Sequence, residues 1–161
     1  MVALGIDPGS IVTGFGLIET QPYITCIEYG CIRSKSKSDF SLRLKTIYDG
    51  ISDLIQKYNP DSIAFEDIFY GHNVKSAIQL GHARGAAIVS AVNANVELSF
   101  YSPREVKLAV TGYGNASKEQ VQKMVQNLLR LEEPVLPLDA SDALAVALCH
   151  LFRTKSGQVP Q

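Results

Sequence analysis

Four carboxylates stand out by where they fall. Asp7 ends a hydrophobic run, "VALGI", just before a Pro-Gly break. Glu66 ends a second apolar run in "SIAFE". Asp139 and Asp142 lie in "LDASDALA", where i, i+3 spacing puts both on one face at the start of an expected helix. An ionised acid at the tip of a buried strand is costly unless something pairs with it. If the first and fourth strands are neighbours, their ends bring Asp7 and Glu66 together, and one helix start can deliver the other two acids to the same spot. Four clustered carboxylates repel strongly without cations. Hard oxygen donors suit Mg²⁺ or Mn²⁺, and two such ions about 4 Å apart can hold a phosphodiester, activate water and stabilise the leaving oxygen.

Each acid also has an ordinary structural reading. Asp139 as N-cap with Asp142 at the third helical position is common capping. Asp7 before Pro-Gly is a normal turn residue, and Glu66, next to Asp67, could simply be exposed. The shared kind of position, strand end or helix start, favours a cluster.

Positioning such a cluster requires a definite set of elements. Residues 2–7, 13–19 and 23–32 are apolar and β-prone, broken by Gly14, Gly16 and "TQPY", which suggests an antiparallel meander. Apolar residues from Phe40 to Tyr58 fall on one helical face, with Ser38 or Asp39 as N-cap. "SIAFE" reads as a short buried strand. Residues 74–92 are helical and rich in small residues, with Ala77, Gly81 and Gly85 four apart; packing on the sheet is the usual explanation, a helix–helix contact the other. Val96, Leu98 and Phe100 alternate as a strand. Ser102 and Pro103 open a helix, Ser117 and Gln120 form a capping box for the next, and Asp139 begins the last, which runs to about Phe152. The order β-β-β-α-β-α-β-α-α-α predicts a mixed α/β sheet, its first three strands antiparallel and the rest parallel, flanked by helices. A single domain over residues 1–153 and a short tail over 154–161 are expected.

The chain has 161 residues, 46% hydrophobic and 19% charged, a globular composition. No run approaches the roughly 18 apolar residues that span a membrane, and the N-terminus has no secretory pattern. Cys26, Cys31 and Cys149 are odd in number and irregularly spaced, favouring reduced thiols in the cytoplasm over disulfides or a zinc site. The net charge of −1 gives no overall basic signature, but residues 69–130 hold seven basic and three acidic residues. That segment is +4 and the remainder −5, which fits either ordinary surface charge or a nucleic-acid-facing side; Lys75 and Arg84 lie in it as candidate contacts. Two divalent ions at the acids would add further attraction for phosphate.

"GIDPGSIVTGFG", "FEDIFYGHNVKSAIQLGHARG", "SPREVK", "SKEQVQKMV" and "DASDALAVA", in this order and spacing from about Leu4 to His150, resemble the RuvC Holliday-junction resolvases. The resemblance implies a ribonuclease-H-like fold and an Mg²⁺-dependent endonuclease with two ions per site, Mn²⁺ being a substitute. It implies a homodimer, joined by the helix near residues 73–92, that nicks a four-way DNA junction symmetrically beside the RuvA–RuvB branch-migration machinery. The family's catalytic and metal-binding tetrad falls on Asp7, Glu66, Asp139 and Asp142. Its junction-stacking aromatic falls on Phe69, with Tyr70 assisting, and its DNA-contacting lysines on Lys107 and Lys118. A stacking aromatic and phosphate-contacting lysines are what an unpaired junction centre calls for. His72 stands where relatives often carry a basic residue; neither it nor His82 is assigned as a ligand, and His150 is expected to pack or lie at the surface of the last helix.

Three other readings compete. A YqgF-like RNA-processing nuclease also begins with a "DPG" turn, but "FEDIF" and "DASDALA" fit it less well at this length. The sugar-kinase, actin and Hsp70 ATPases carry a similar phosphate turn, but need two lobes and a second glycine-rich motif. A junction-binding protein without catalysis would not need all four acids.

Overall fold

Burial on both faces marks β1 (Val2–Asp7) as the central strand: Ala3, Leu4 and Ile6 are fully buried, and they divide between two separate cores. The structure, a computed structural model, describes residues 1–35, 39–67, 73–135 and 137–156, with Lys155 and Ser156 described by backbone only. β2 (Val12–Glu19) and β3 (Thr25–Arg33) continue from β1 as an antiparallel meander. β4 (Ser62–Glu66) lies parallel to β1 on its other side, and β5 (Glu97–Tyr101) parallel to β4. The strand order is β3-β2-β1-β4-β5, the mixed sheet expected from the sequence. Short links permit antiparallel neighbours, whereas the two parallel joins each need a helical crossover.

Those crossovers are α1 (Phe40–Tyr58) and α2 (Val74–Asn93). Both cover one face: Ile47, Ile51, Leu54 and Ile55 of α1, with Ala83, Ala87 and Ala91 of α2, meet Leu4, Ile6, Leu17, Ile63 and Phe65. On the opposite face lie α3 (Pro103–Thr111), α4 (Lys118–Leu128) and α5 (Leu138–Ser156). Their core holds Val106, Val110, Val121, Val125 and the apolar side of α5 from Ala140 to Leu151. Among the described residues no helix is long and apolar enough to cross a membrane.

Local sequence explains most boundaries. Ser102 and Glu105 form a reciprocal capping box at α3, and Ser117 and Gln120 do the same at α4. Asp39 occupies the N-cap of α1, without a capping bond from its side chain. Four details depart from expectation. β3 starts at Thr25 rather than Tyr23, which is 68% exposed beside a proline that has no N–H for the ladder. α5 starts one residue earlier, at Leu138. The Pro137 carbonyl accepts from the Ala140 and Ser141 N–H groups, so Asp139 lies inside the first turn and is not the N-cap. The same helix continues to Ser156, into the stretch expected as tail. Finally, the row Ala77, Gly81 and Gly85 is not what packs on the sheet. A Cβ at Gly81 or Gly85 would meet nothing within 4 Å, and the buried row is Ala83, Ala87 and Ala91, on the opposite side of the helix.

Candidate active site

Parallel register sets the first pair of acids. Ile6 lies opposite Phe65, so Asp7 and Glu66 leave the sheet side by side at the C-terminal ends of β1 and β4. Glycines set the second pair. Gly14 is the β2 partner of Asp7, and a Cβ there would stand 2.0 Å from the Asp139 carbonyl oxygen. At Gly5 it would stand 2.1 Å from the carbonyl of Ala143. Only bare backbone allows α5 to lie this close, and the first turn of α5 thereby carries Asp139 and Asp142 over the tip of β1. Gly14, which looks like strand punctuation in the sequence, is an interior strand residue with this specific task.

The electrostatics of Asp7 and Glu66 reflect these neighbours. Burial pushes Asp7 up to about 8, and the charges of Glu66, Asp142 and Asp139 push the same way, with Lys118 opposing. Burial likewise lifts Glu66 to about 7, helped by Asp142 and opposed by Lys118, by a hydrogen bond with Asp7 and by Lys107. Lys118, the first residue of α4, sits 3.1 Å from Asp142 Oδ2, and that contact holds its own ammonium above the usual lysine range. Glu66, Lys107, Lys118 and Asp142 line a cavity of about 250 Å³ whose walls are Pro103, Val106, Val121 and Ala145. Among the described residues no three acidic, histidine or cysteine side chains are already gathered into a metal cage. The negative charge is met instead by Lys118, with Lys107 also facing Glu66, two cations among four acids. Desolvated, mutually repelling oxygen donors of this kind fit a hard divalent cation.

The sequence model of the family described as "Crossover junction endodeoxyribonuclease RuvC" matches residues 3–150. The chain belongs to the RuvC family. The RuvC of Geobacter sulfurreducens is 52% identical over 151 residues, which cover 93% of this chain and 92% of that one. The RuvC of Chloroherpeton thalassium is 48% identical, covering 97% and 84% of the two chains. Among solved structures, Thermus thermophilus RuvC in complex with a Holliday junction substrate superposes with a TM-score of 0.92 at 31% identity, covering 98% of this chain and 96% of that one. The yeast mitochondrial Holliday junction resolvase shares the fold, with a TM-score of 0.62 at 13% identity. The ribonuclease-H-like RuvC architecture implied by the motifs is the one observed.

Other RuvC candidate residues distribute unevenly. Lys107 and Lys118 reach the acidic cavity. Lys75 is exposed in the first turn of α2 and does not line it. Arg84 is engaged elsewhere: its guanidinium pairs with Asp67 and lies 5.0 Å above the Phe100 ring. Phe69, Tyr70 and His72 lie outside the described residues. His150 is packed rather than exposed, joined through Nδ1 to the Tyr101 hydroxyl at 2.9 Å and through Nε2 to Ser62 at 2.8 Å. His82 meets Phe40 edge-on at 5.5 Å. One neighbour of the site was not foreseen. Cys31 is the β3 partner of Gly14, and the charges of Asp139 and Asp7 add to burial in raising its thiol. Only strand register, which the sequence does not spell out, could have placed it there.

Proposed function

We propose that this RuvC-family chain is a divalent-metal-dependent endonuclease that resolves four-way DNA junctions by paired, symmetric nicks in recombination and repair. The observation that carries the reading is the desolvated acid cluster at the ends of β1 and β4, with Asp7 held up to about 8 by burial and by three neighbouring carboxylates. Asp7, Glu66, Asp139 and Asp142 would hold the metal, Mg²⁺ or Mn²⁺, at one or two positions. The bound metal supplies Lewis-acid activation of water and neutralises charge on the phosphate.

The remaining steps belong to the chain's own groups. Lys107 and Lys118 draw the phosphodiester backbone to the cavity mouth and orient it. Lys118 exchanges its contact with Asp142 for one with phosphate as DNA enters. Attack of water on phosphorus and departure of the 3′ oxygen leave a 5′-phosphate and a 3′-hydroxyl. Phe69, assigned on its motif alone, stacks on an unpaired base at the junction centre, with Tyr70 beside it and Lys75 on the flanking backbone.

Paired nicks need two sites, and α2 offers the surface for a second copy. Val74, Ile78, Gly81, Gly85, Val89 and Val92 fall on one stripe of the helix, and its four large members are each more than half exposed. This apolar stripe with a glycine centre supports a close helix–helix homodimer contact. Family membership supports a partnership with the RuvA–RuvB branch-migration machinery, and the odd, unpaired cysteines support a reducing cytoplasmic setting.

A gel assay on a synthetic four-way junction and a matched linear duplex tests the reading, using wild type and Asp7→Asn with Mg²⁺ or chelator. Symmetric Mg²⁺-dependent nicks on the junction alone, lost in the variant while binding persists, are expected. Binding without cleavage by wild type would indicate an architectural protein, and absence of junction preference would favour an RNA-processing nuclease.

A further inference from the structure

We propose that Arg84 is a positioning residue that fixes the Glu66 carboxylate by holding the residues on either side of it, Asp67 through its carboxylate and Phe65 through the Phe100 ring. The inference rests on the junction-cleaving function above. Glu66 is the last residue of β4 and pairs with Tyr101 of β5. Immediately after it, the Asp67 N–H donates to the Tyr101 carbonyl at 2.8 Å, extending the ladder by one step. The Asp67 carboxylate is ion-paired with Arg84 of α2. Immediately before Glu66, the fully buried Phe65 ring stacks on Phe100 at 5.7 Å, with 23° between the planes. The Arg84 guanidinium lies 5.0 Å above that same Phe100 ring. One side chain therefore holds the residue after Glu66 by charge and the residue before it through an aromatic stack.

The chemistry requires arginine. A planar guanidinium can lie on a ring face and still present N–H groups to a carboxylate, whereas an ammonium cannot satisfy both geometries. The Arg84 side chain is 21% exposed and that of Asp67 43%, so the guanidinium is partly withdrawn from solvent screening while the carboxylate stays open to it. Its position on α2 also matters. Arg84 lies on the flank between the buried row Ala83, Ala87 and Ala91 and the open apolar stripe. The link from Glu66 through Asp67 therefore ends on α2, beside its exposed apolar stripe. The basic segment of the sequence made Arg84 a candidate DNA contact, but a guanidinium already committed to Asp67 and Phe100 serves the protein rather than a phosphate.

Single-turnover cleavage of a four-way junction by Arg84→Gln, Arg84→Lys, Asp67→Asn and the Arg84→Gln/Asp67→Asn double variant tests this. Junction affinity in chelator, its salt dependence and the Mg²⁺ midpoint are measured alongside. Displacing a reacting group by about 1 Å can cost on the order of 100-fold in rate, so Arg84→Gln is expected to lose about 10–100-fold with a raised Mg²⁺ midpoint. Its junction affinity and salt slope should match wild type, and Arg84→Lys should fall between the two. The double variant should be no slower than the worse single variant, because both substitutions break the same link. Wild-type rates in Arg84→Gln would overturn the proposal. So would a rate loss explained by weaker binding with a salt slope reduced by about one, which would make Arg84 a phosphate contact. Should Arg84→Gln fail to fold, Asp67→Asn and Arg84→Lys carry the same comparison. If wild type itself does not cut, the function and this inference fall together; if wild type cuts and the variants cut equally, only the inference falls.

Discussion

Asp7 carries a cost that the fold does not relieve by itself. Its carboxyl is raised from 3.8 in an unfolded chain to about 8 in the folded one. Between those values the folded state holds the extra proton, so stability falls as pH rises through this window. At pH 8 in chelator, Asp7→Asn should therefore melt higher than wild type, by roughly 2–4 °C for each kcal/mol recovered at this chain length. The gap should close toward pH 4. Adding Mg²⁺ should raise the melting temperature of wild type by mass action and leave the variant nearly unmoved. Thermal melts over a pH series with and without metal measure both effects; a variant that melts lower than wild type at pH 8 would contradict the burial and repulsion described. The four acids were legible in the sequence because each closes an apolar run or opens a helix. The size of their mutual perturbation was not, because it depends on burial and on the strand order that brings β1 beside β4.

At the scale of elements, the contact between α5 and the sheet decides whether the acids meet. A methyl group on Gly14 would stand 2.0 Å from the Asp139 carbonyl, with strand backbone on one side and helix backbone on the other. Neither can yield locally, so Gly14→Ala must move α5. Overpacking of this sort costs about 1–3 kcal/mol, and the displaced helix takes Asp139 and Asp142 with it. Cleavage by Gly14→Ala should fall by more than an order of magnitude at a temperature where circular dichroism still reports folded protein. Unchanged cleavage would show that the acids tolerate a shifted helix. This contact also marks where pattern reasoning runs out. Apolar periodicity located α1, and capping residues fixed the starts of α3 and α4, because those signals are local. Gly14 and Gly16 read as breaks because a glycine's role as a landing place for another element is written in that element. On α2 the small residues were visible, but two rows of them compete for the sheet. Ala83, Ala87 and Ala91 won because their methyl groups still supply apolar contact with the core, whereas Gly81 and Gly85 bring no side chain to it.

For the whole molecule, the losing row becomes the informative one. Val74, Ile78, Val89 and Val92 are 72%, 55%, 52% and 54% exposed, all on the stripe that contains Gly81 and Gly85. Large apolar residues left in water along one line of a helix favour burial against a matching line, and glycines at the centre let two such helices approach closely. A two-fold pair would repeat the acid cluster once per copy, which is what symmetric nicking requires. Ile78→Glu inserts a charge that would be duplicated across the two-fold axis and left without a partner. Light scattering should show wild type at twice the 17.5 kDa chain mass and the variant at one. The lone copy has the same sheet and acids, because Ile78 contributes nothing to either core. On a four-way junction it should still nick in Mg²⁺, but the two nicks should become uncoupled, so that singly nicked junctions accumulate where wild type yields paired products. A variant that stays dimeric would move the interface off this stripe; a monomer that still delivers coupled nicks would separate symmetry in the product from symmetry in the protein.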